Sequence, residues 1–365
     1  MADGGSLLSS DASYNLLLET VSFNESDQVL LFHAGSFSSA KRIAQQVAHL
    51  HVYDTDYADL RDFQDALDRD SDGLVNKITV SDGVFVDEEA VFDKVVIINP
   101  KGRDFARALL WNGQQALKSG GSLYIAGATK AGIKSIIVDA KTLLGSCRTL
   151  AYKQRVRVGV SRVKQPVVDY PSEWGAIPTH IQLMPVDTPL RSLEVGTMPG
   201  VFSWKKLDAG TQFLLEQEAV AQAARDSDVL EVGCGTGVIG GALSHLAKSV
   251  LMTDVNLLAV GCTEVTIQQN QLADIHVTVG DVYSSVQEYK FDLIISNPPF
   301  HKGFDVHTNV AHRIIREAKQ VLRPGGRLIL VANAFLPYDV EMRNHFREVK
   351  RLAETHQFVV LEGII

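Results

Sequence analysis

A chain of 365 residues exceeds the usual size of one compact core, so two domains are expected. Its 45% hydrophobic and 21% charged residues exclude a disordered or fibrous protein. A net charge of −8 excludes one that coats nucleic acid by bulk electrostatics, leaving room only for a local basic patch. The start, Met1-Ala2-Asp3-Gly4, has no positive region before an apolar core, and no stretch reads as a membrane span, so the expected compartment is the cytoplasm. Cys147, Cys234 and Cys262 are widely spaced with no partnering histidines, which points away from both a metal site and a disulfide framework.

In chain order, the first expected strand covers residues 27–32 and leads to His33-Ala34-Gly35-Ser36-Phe37. An Asp-rich stretch follows at 54–72, then a strand at 92–98 that ends in Asn99-Pro100-Lys101. Residues 148–165 carry Arg148, Lys153, Arg155, Arg157, Arg162 and Lys164 with no acid. Within them, 154–160 alternates like an edge strand with one solvated charged face, an alternative to contact with RNA. Pro166, Pro171, Pro178, Pro185 and Pro189 mark a linker, and the domain boundary is expected near 165–190.

The second half opens with a strand at 228–232 running into Gly233-Cys234-Gly235-Thr236-Gly237 and a helical pattern from Val238. Glycines let backbone approach a ligand, and a helix start offers free N–H groups. The acid Glu231 at the strand end would repel a pyrophosphate but pair with the ammonium of an amino acid, so a nucleoside joined to an amino acid is the better ligand. A second strand ends in Asp254, next to Val255, placed to take ribose hydroxyls. After a helix at 257–270, a strand at 275–279 leads to Gly280-Asp281-Val282, where Asp281 can accept from an adenine amine. A fourth strand, 291–296, stops at Asn297-Pro298-Pro299-Phe300. There the Asn297 oxygen and the Pro298 carbonyl can accept from an exocyclic amine while Phe300 stacks on its ring, although Asn-Pro-Pro is also an ordinary strand-ending turn. Arg313 and Arg316 could meet phosphate or simply be solvated, and His301 is better placed as a solvated or phosphate-contacting residue than as a base.

The two halves echo each other. Phe92-Asp93 through Asn99-Pro100 parallels Phe291-Asp292 through Asn297-Pro298, and Gly120-Gly121 with the strand after it parallels Gly325-Gly326. The glycine cluster is missing from the first copy, which reads as an α/β fold that no longer binds the cofactor.

Residues 227–331 resemble a class I S-adenosylmethionine-dependent methyltransferase, with Glu231 through Gly237 as its first motif. The resemblance implies Glu231 and Gly233 on the methionine side and Asp254 at the ribose, with Cys234, Gly235, Gly237 and Val255 also against the cofactor. It further implies Asp281 with Val282 at the adenine, and Asn297-Pro298-Pro299-Phe300 as the amino-methylating motif, with Asn297 also against the cofactor. Leu193 through Ser203, Leu207-Asp208-Ala209-Gly210-Thr211, Asn297 through His301 and Val331 through Tyr338 are similar to the bacterial ribosomal RNA guanine-N2 methyltransferases of the RsmC and RlmG group. That likeness covers nearly the whole chain. It implies an α/β protein of two tandem Rossmann-like methyltransferase domains from an internal duplication, with residues 1–165 a degenerate copy that supports folding and holds RNA, and 166–365 the catalytic domain. The substrate would be ribosomal RNA or a ribosomal subunit, the cofactor S-adenosyl-L-methionine, with no metal and no membrane, and the protein a monomer. Thr197 through Ser203 favours small-subunit 16S rRNA, whereas Gly237 through Gly240 and Phe358 through Leu361 look more like the large-subunit enzymes. Adenine-N6, a protein glutamine amide and a non-catalytic RNA-binding module remain as alternatives.

Overall fold

The computed structural model describes residues 5–83, 85–86, 89–163, 170–175, 180–299 and 306–365. The chain divides into two units, Ala2–Thr179 and, apart from Met1, His180–Ile365. In the first, the strands are β1 (Gln28–Phe32), β2 (His49–Asp54), β3 (Ile78–Asp82), β4 (Phe92–Ile98), β5 (Leu117–Ala128), β6 (Arg148–Lys153) and β7 (Val156–Arg162). Among the described residues they form one sheet in the order β3-β2-β1-β4-β5-β7-β6. The pairing is parallel from β3 to β5 and antiparallel from β5 to β6. Continuous apolar runs fit this arrangement, because a parallel sheet is covered on both faces; Val29, Leu30, Val95 and Val96 are all fully buried.

The second unit begins with a two-stranded antiparallel ladder, β8 (Gln182–Asp187) and β9 (Ser192–Thr197). Pro185 and Pro189, expected in a linker, thus belong to folded structure, and Pro185 is tolerated in β8 because that strand has a free edge on its other side. Its main sheet contains β10 (Asp228–Val232), β11 (Ser249–Asp254), β12 (Ile275–Val279), β13 (Phe291–Ser296), β14 (Leu322–Asn333), β15 (Glu348–Glu354) and β16 (Phe358–Ile364). Their order, β12-β11-β10-β13-β14-β16-β15, repeats that of the first unit strand for strand. Even single contacts recur: Gln28 N–H donates to Asp93 at 2.9 Å, and Asp228 N–H donates to Asp292 at 2.9 Å. Alternate residues of β10 and β13 feed two cores. Val229, Leu293 and Ile295 pack on one face of the sheet with Ala242 and Leu243, while Leu230, Val232 and Ile294 pack on the other with Ala311, Ile314 and Ile315. Among the described residues no helix is long and apolar enough to cross a membrane.

Two features of the first unit differ from simple expectation. Residues 154–160 were expected at a sheet edge, but β7 lies between β5 and β6, and β6 is the edge. The reason is a tight hairpin: Gln154 and Arg155 take φ of 48° and 64°, the two consecutive positive values that such turns demand, and fold the chain back on itself. Arg157, half-buried, lies with its guanidinium carbon 4.1 Å from the centre of the Tyr152 ring. Lys164 and Pro166 are outside the described residues. At the end of β1, His33 adopts φ 58° and sets its Nδ1 3.3 Å from the Asp54 carboxylate at the end of β2. An imidazole therefore stands where a glycine loop would have to approach.

The first unit also holds a buried ion pair, Lys94 on β4 with Asp27 just before β1, the two residues 9% and 6% exposed. Asp27→Ala should destabilise this unit by about 3 kcal/mol, because it leaves a buried ammonium without its close counter-ion. Urea unfolding followed by circular dichroism should show that loss, and Asp27→Ala combined with Lys94→Met should recover most of it.

Candidate active site

The register of the second sheet brings the candidate residues together. Val232 is paired with Ser296, so Gly233 and Asn297 leave adjacent strands side by side, at the carboxyl edge where the strand order reverses. Ser296 reinforces the pairing with a hydroxyl bond of 2.8 Å to the Val232 carbonyl. The Pro298-Pro299 pair then ends the ladder, since neither residue can donate to it.

After β10 the backbone turns on Gly233, Gly235 and Gly237, with φ of 76°, 59° and 75°, values unfavourable for other residues. A Cβ added at Gly233 or Gly235 would meet nothing within 4 Å, so both face open space. The loop is held from behind. Gly233 and Cys234 donate to the Thr253 carbonyl at 2.8 and 3.0 Å, and Gly235 donates to the Asp254 carboxylate at 2.8 Å. Gly237 precedes the short helix Val238–Leu243. Cys234 is buried with its Sγ 3.4 Å from the Thr263 hydroxyl, and burial pushes its thiol far up, so it stays an unreactive neutral group.

Glu231 is 1% exposed yet lines the cleft in front of the loop. Its carboxyl oxygen Oε2 accepts a 2.7 Å bond from Gly240 N–H, an approach possible because residue 240 is glycine: a Cβ there would come within 2.8 Å of the same oxygen. Burial, opposed by that bond and assisted by the charge of Asp254, pushes its pKa up to about 8.

Asn297 lines the same cleft. Its amide Nδ2 donates to Asp208 Oδ2 at 2.9 Å and to the Thr211 hydroxyl at 2.8 Å. Its Oδ1 is buried and has no hydrogen-bond partner among the described residues. Pro298 is buried and Pro299 exposed, while Phe300 and His301 lie outside the described residues.

Glu231, Gly233, Cys234, Gly235 and Asn297 thus share one cleft that is open to solvent. Asp254, Val255, Gly237, Asp281 and Val282 are not in its lining. Asp254 accepts from Gly235 and Asn256 N–H groups, and Val255 is half-buried beside it. Asp281, expected to be open to an adenine amine, already receives both its bonds from Arg313, at 2.8 and 3.0 Å, and Val282 next to it is buried with φ 55°. Arg313 is therefore half-buried and committed to Asp281 rather than a free phosphate contact, and Arg316 lies 3.4 Å from Glu341. Opposite charges separated by 32 residues had found each other, which helical spacing alone does not reveal. The residues that sequence reasoning left without a role are Asp208, Thr211 and the exposed Phe202 at the cleft. The signal for Asp208 was present as a helix-capping pattern, since its carboxylate accepts from Thr211 N–H at 2.9 Å.

The second unit matches the family model described as methyltransferase small domain over residues 192–362, and the first matches its N-terminal counterpart over residues 15–169. The ribosomal RNA small subunit methyltransferase C of Psychromonas ingrahamii is 32% identical over 306 residues, 80% of this chain and 82% of that protein. Its Alteromonas mediterranea equivalent is 32% identical over 291 residues, 77% and 76% of the two chains. The chain belongs to the ribosomal RNA small subunit methyltransferase C family. As a member it is a methyltransferase. With the Mannheimia succiniciproducens member the identity rises to 46% over 177 residues, an alignment spanning about half of each chain, 48% and 52%. The two-unit fold is shared with the T. thermophilus 16S rRNA N2 G1207 methyltransferase, solved with AdoMet and guanosine, at a TM-score of 0.82 and 24% identity, over 97% and 92% of the two chains.

S-adenosylmethionine, the cofactor expected from the sequence, fits the residues present. Open space at Gly233 and Gly235 admits a ligand against backbone, and Glu231 is a buried carboxyl with no cation beside it among its recorded partners.

Proposed function

We propose that this protein methylates the exocyclic amine, N2, of a guanine in 16S rRNA, with residues 166–365 as the catalytic part and 1–165 as a degenerate copy that holds RNA. The single observation that carries the reading is the Asn297 amide, whose nitrogen donates twice while its buried oxygen accepts nothing from the described residues. A buried acceptor without a partner is costly, and a planar amine that donates N–H groups is the chemistry that satisfies it.

S-adenosylmethionine, when bound, supplies an electrophilic methyl carbon on a sulfonium that departs as a neutral thioether. The protein's own part is to aim the nucleophile. The lone pair of an aromatic amine is delocalised into its ring, so bonds from its N–H groups to Asn297 Oδ1 and to the Pro298 carbonyl hold the nitrogen with its lone pair towards the reacting carbon. The same acceptors stabilise positive charge that develops on nitrogen as the N–C bond forms. The methylated nitrogen then gives its proton to water, so no strong base is needed. Glu231 is assigned to the ammonium end of the cofactor, Asp254 with Val255 to the ribose, and Asp281 with Val282 to the adenine. This last assignment requires Asp281 to accept from adenine with lone pairs that Arg313 leaves free. Phe300 is assigned to stack on the base, which leaves its helix most cheaply in unpaired RNA.

The small-subunit names of the relatives favour 16S over 23S rRNA, and the guanosine in the T. thermophilus complex favours guanine over adenine or a glutamine amide. Exposed Arg148, Arg155 and Arg162 on the β6–β7 hairpin give the first unit a cationic surface for phosphate. Tritium-labelled methyl transfer to separated 16S and 23S rRNA, naked and within subunits, tests the substrate. Label is expected in 16S rRNA alone; label in 23S rRNA would move the assignment to the large subunit.

A further inference from the structure

We infer that Asp208 is a positioning residue: it fixes which way the Asn297 amide faces and so makes Asn297 Oδ1 the acceptor for the substrate amine. The inference rests on the amine-methylating reading above and adds a residue to it. An amide can sit in two orientations that differ by a half-turn, and nothing in Asn297 itself chooses between them. Its surroundings choose. In the orientation present, both N–H groups meet oxygens, Asp208 Oδ2 at 2.9 Å and Thr211 Oγ1 at 2.8 Å. In the reverse orientation the carbonyl oxygen would face the Asp208 carboxylate, two acceptors with no proton between them. The carboxylate is itself held still, because Oδ2 also accepts Thr211 N–H at 2.9 Å and caps the helix Ala209–Leu215.

The consequence is directional. With its nitrogen saturated, Asn297 can offer only Oδ1, and Oδ1 is the buried atom left without a partner among the described residues. A site that presented Nδ2 instead would repel the N–H groups of an amine. Asp208 therefore acts through Asn297, not on the reacting atoms, and Thr211 completes the same pair of acceptors.

The test uses the full-length enzyme, S-adenosylmethionine and the rRNA that accepts label from the wild type. Asp208→Ser keeps a helix cap but is too short to reach Asn297. Its kcat is expected to fall about 100-fold, the cost of a misaligned catalytic group, with cofactor affinity by calorimetry within about threefold of wild type. Asp208→Asn, whose amide oxygen can still accept both bonds, should recover most of that loss. Asn297→Asp sets two carboxylates face to face and should also be nearly inactive. Combining it with Asp208→Asn lets residue 208 donate to the new carboxylate, leaves one oxygen of residue 297 free, and should raise kcat at least about tenfold over Asn297→Asp alone. A residue that only stabilised the fold would not produce that reciprocal rescue. The inference is overturned if folded Asp208→Ser retains kcat within threefold of wild type, or if the double variant is no better than Asn297→Asp. The nucleoside formed by the wild type separates the two levels: a product other than N2-methylguanosine sinks the substrate reading, while a failed rescue with that product present sinks the role of Asp208 alone.

Discussion

Asn297→Ala is expected to lower kcat by at least about 100-fold while leaving the affinity for S-adenosylmethionine within about threefold of wild type. The expectation follows from where the side chain sits. Asn297 follows β13 beside the glycine loop that follows β10, and its own bonds run to Asp208 and Thr211 rather than to that loop. Truncation removes the acceptor that aims the amine but leaves Gly233, Gly235 and Glu231 as they are. It also frees Asp208 Oδ2 of one donor, although that oxygen keeps its bond from Thr211 N–H, so the helix cap survives. Single-turnover methyl transfer measures the first quantity and calorimetric titration the second. If both fell together, Asn297 would be a cofactor residue and not an acceptor-site residue.

Glu231→Gln carries the second large effect, and its signature is a proton. The pKa of about 8 means that the free protein at pH 7 holds Glu231 mainly as the neutral acid. Pairing with the cofactor's ammonium requires the carboxylate, so binding should release close to one proton per molecule bound at pH 7. That release appears as a dependence of the binding enthalpy on the ionisation enthalpy of the buffer. The Gln variant should release none and bind the cofactor at least about tenfold more weakly, since it loses a charge-assisted bond. Stability has a matching sign. Folding raises this acid from 4.5 to about 8, so its contribution is fully present below about pH 4.5 and is lost as pH rises towards 8. The cofactor-free wild type should therefore lose stability relative to Glu231→Gln over that window, on the order of a few kcal/mol. Melting temperatures measured from pH 5 to pH 8 check it, and saturating cofactor should shrink the gap.

The parts of this molecule that could be read from its sequence are those encoded locally. Apolar runs that end in Gly-Cys-Gly or Asn-Pro-Pro announce buried strands and their carboxyl ends, and the parallel between Phe92-Asp93 and Phe291-Asp292 announced a repeated fold. The matching strand orders of the two sheets carry that repeat through to topology. What could not be read was set by contacts between distant residues. The hairpin at Gln154 and Arg155 buries β7 between two strands because of backbone angles that neither residue type advertises. Asp281 and Arg313 meet only because the end of β12 and the helix Val306–Glu317 are brought together. The Asp208–Asn297 bond spans 89 residues, and the segment containing Asp208 declared only a helix cap. The lack of a glycine cluster in the first copy was legible, but the imidazole of His33 turned onto Asp54 became visible only in three dimensions.

The most direct test of the account is nucleoside analysis by mass spectrometry of 16S rRNA methylated by the wild-type protein, alongside the same rRNA treated with Asn297→Ala. One added methyl group, recovered as N2-methylguanosine and absent from the Asn297→Ala sample, is the result that an amine held at the end of β13 requires. Recovery of N6-methyladenosine, of a ring-nitrogen methylation, or of undiminished product from Asn297→Ala would contradict it.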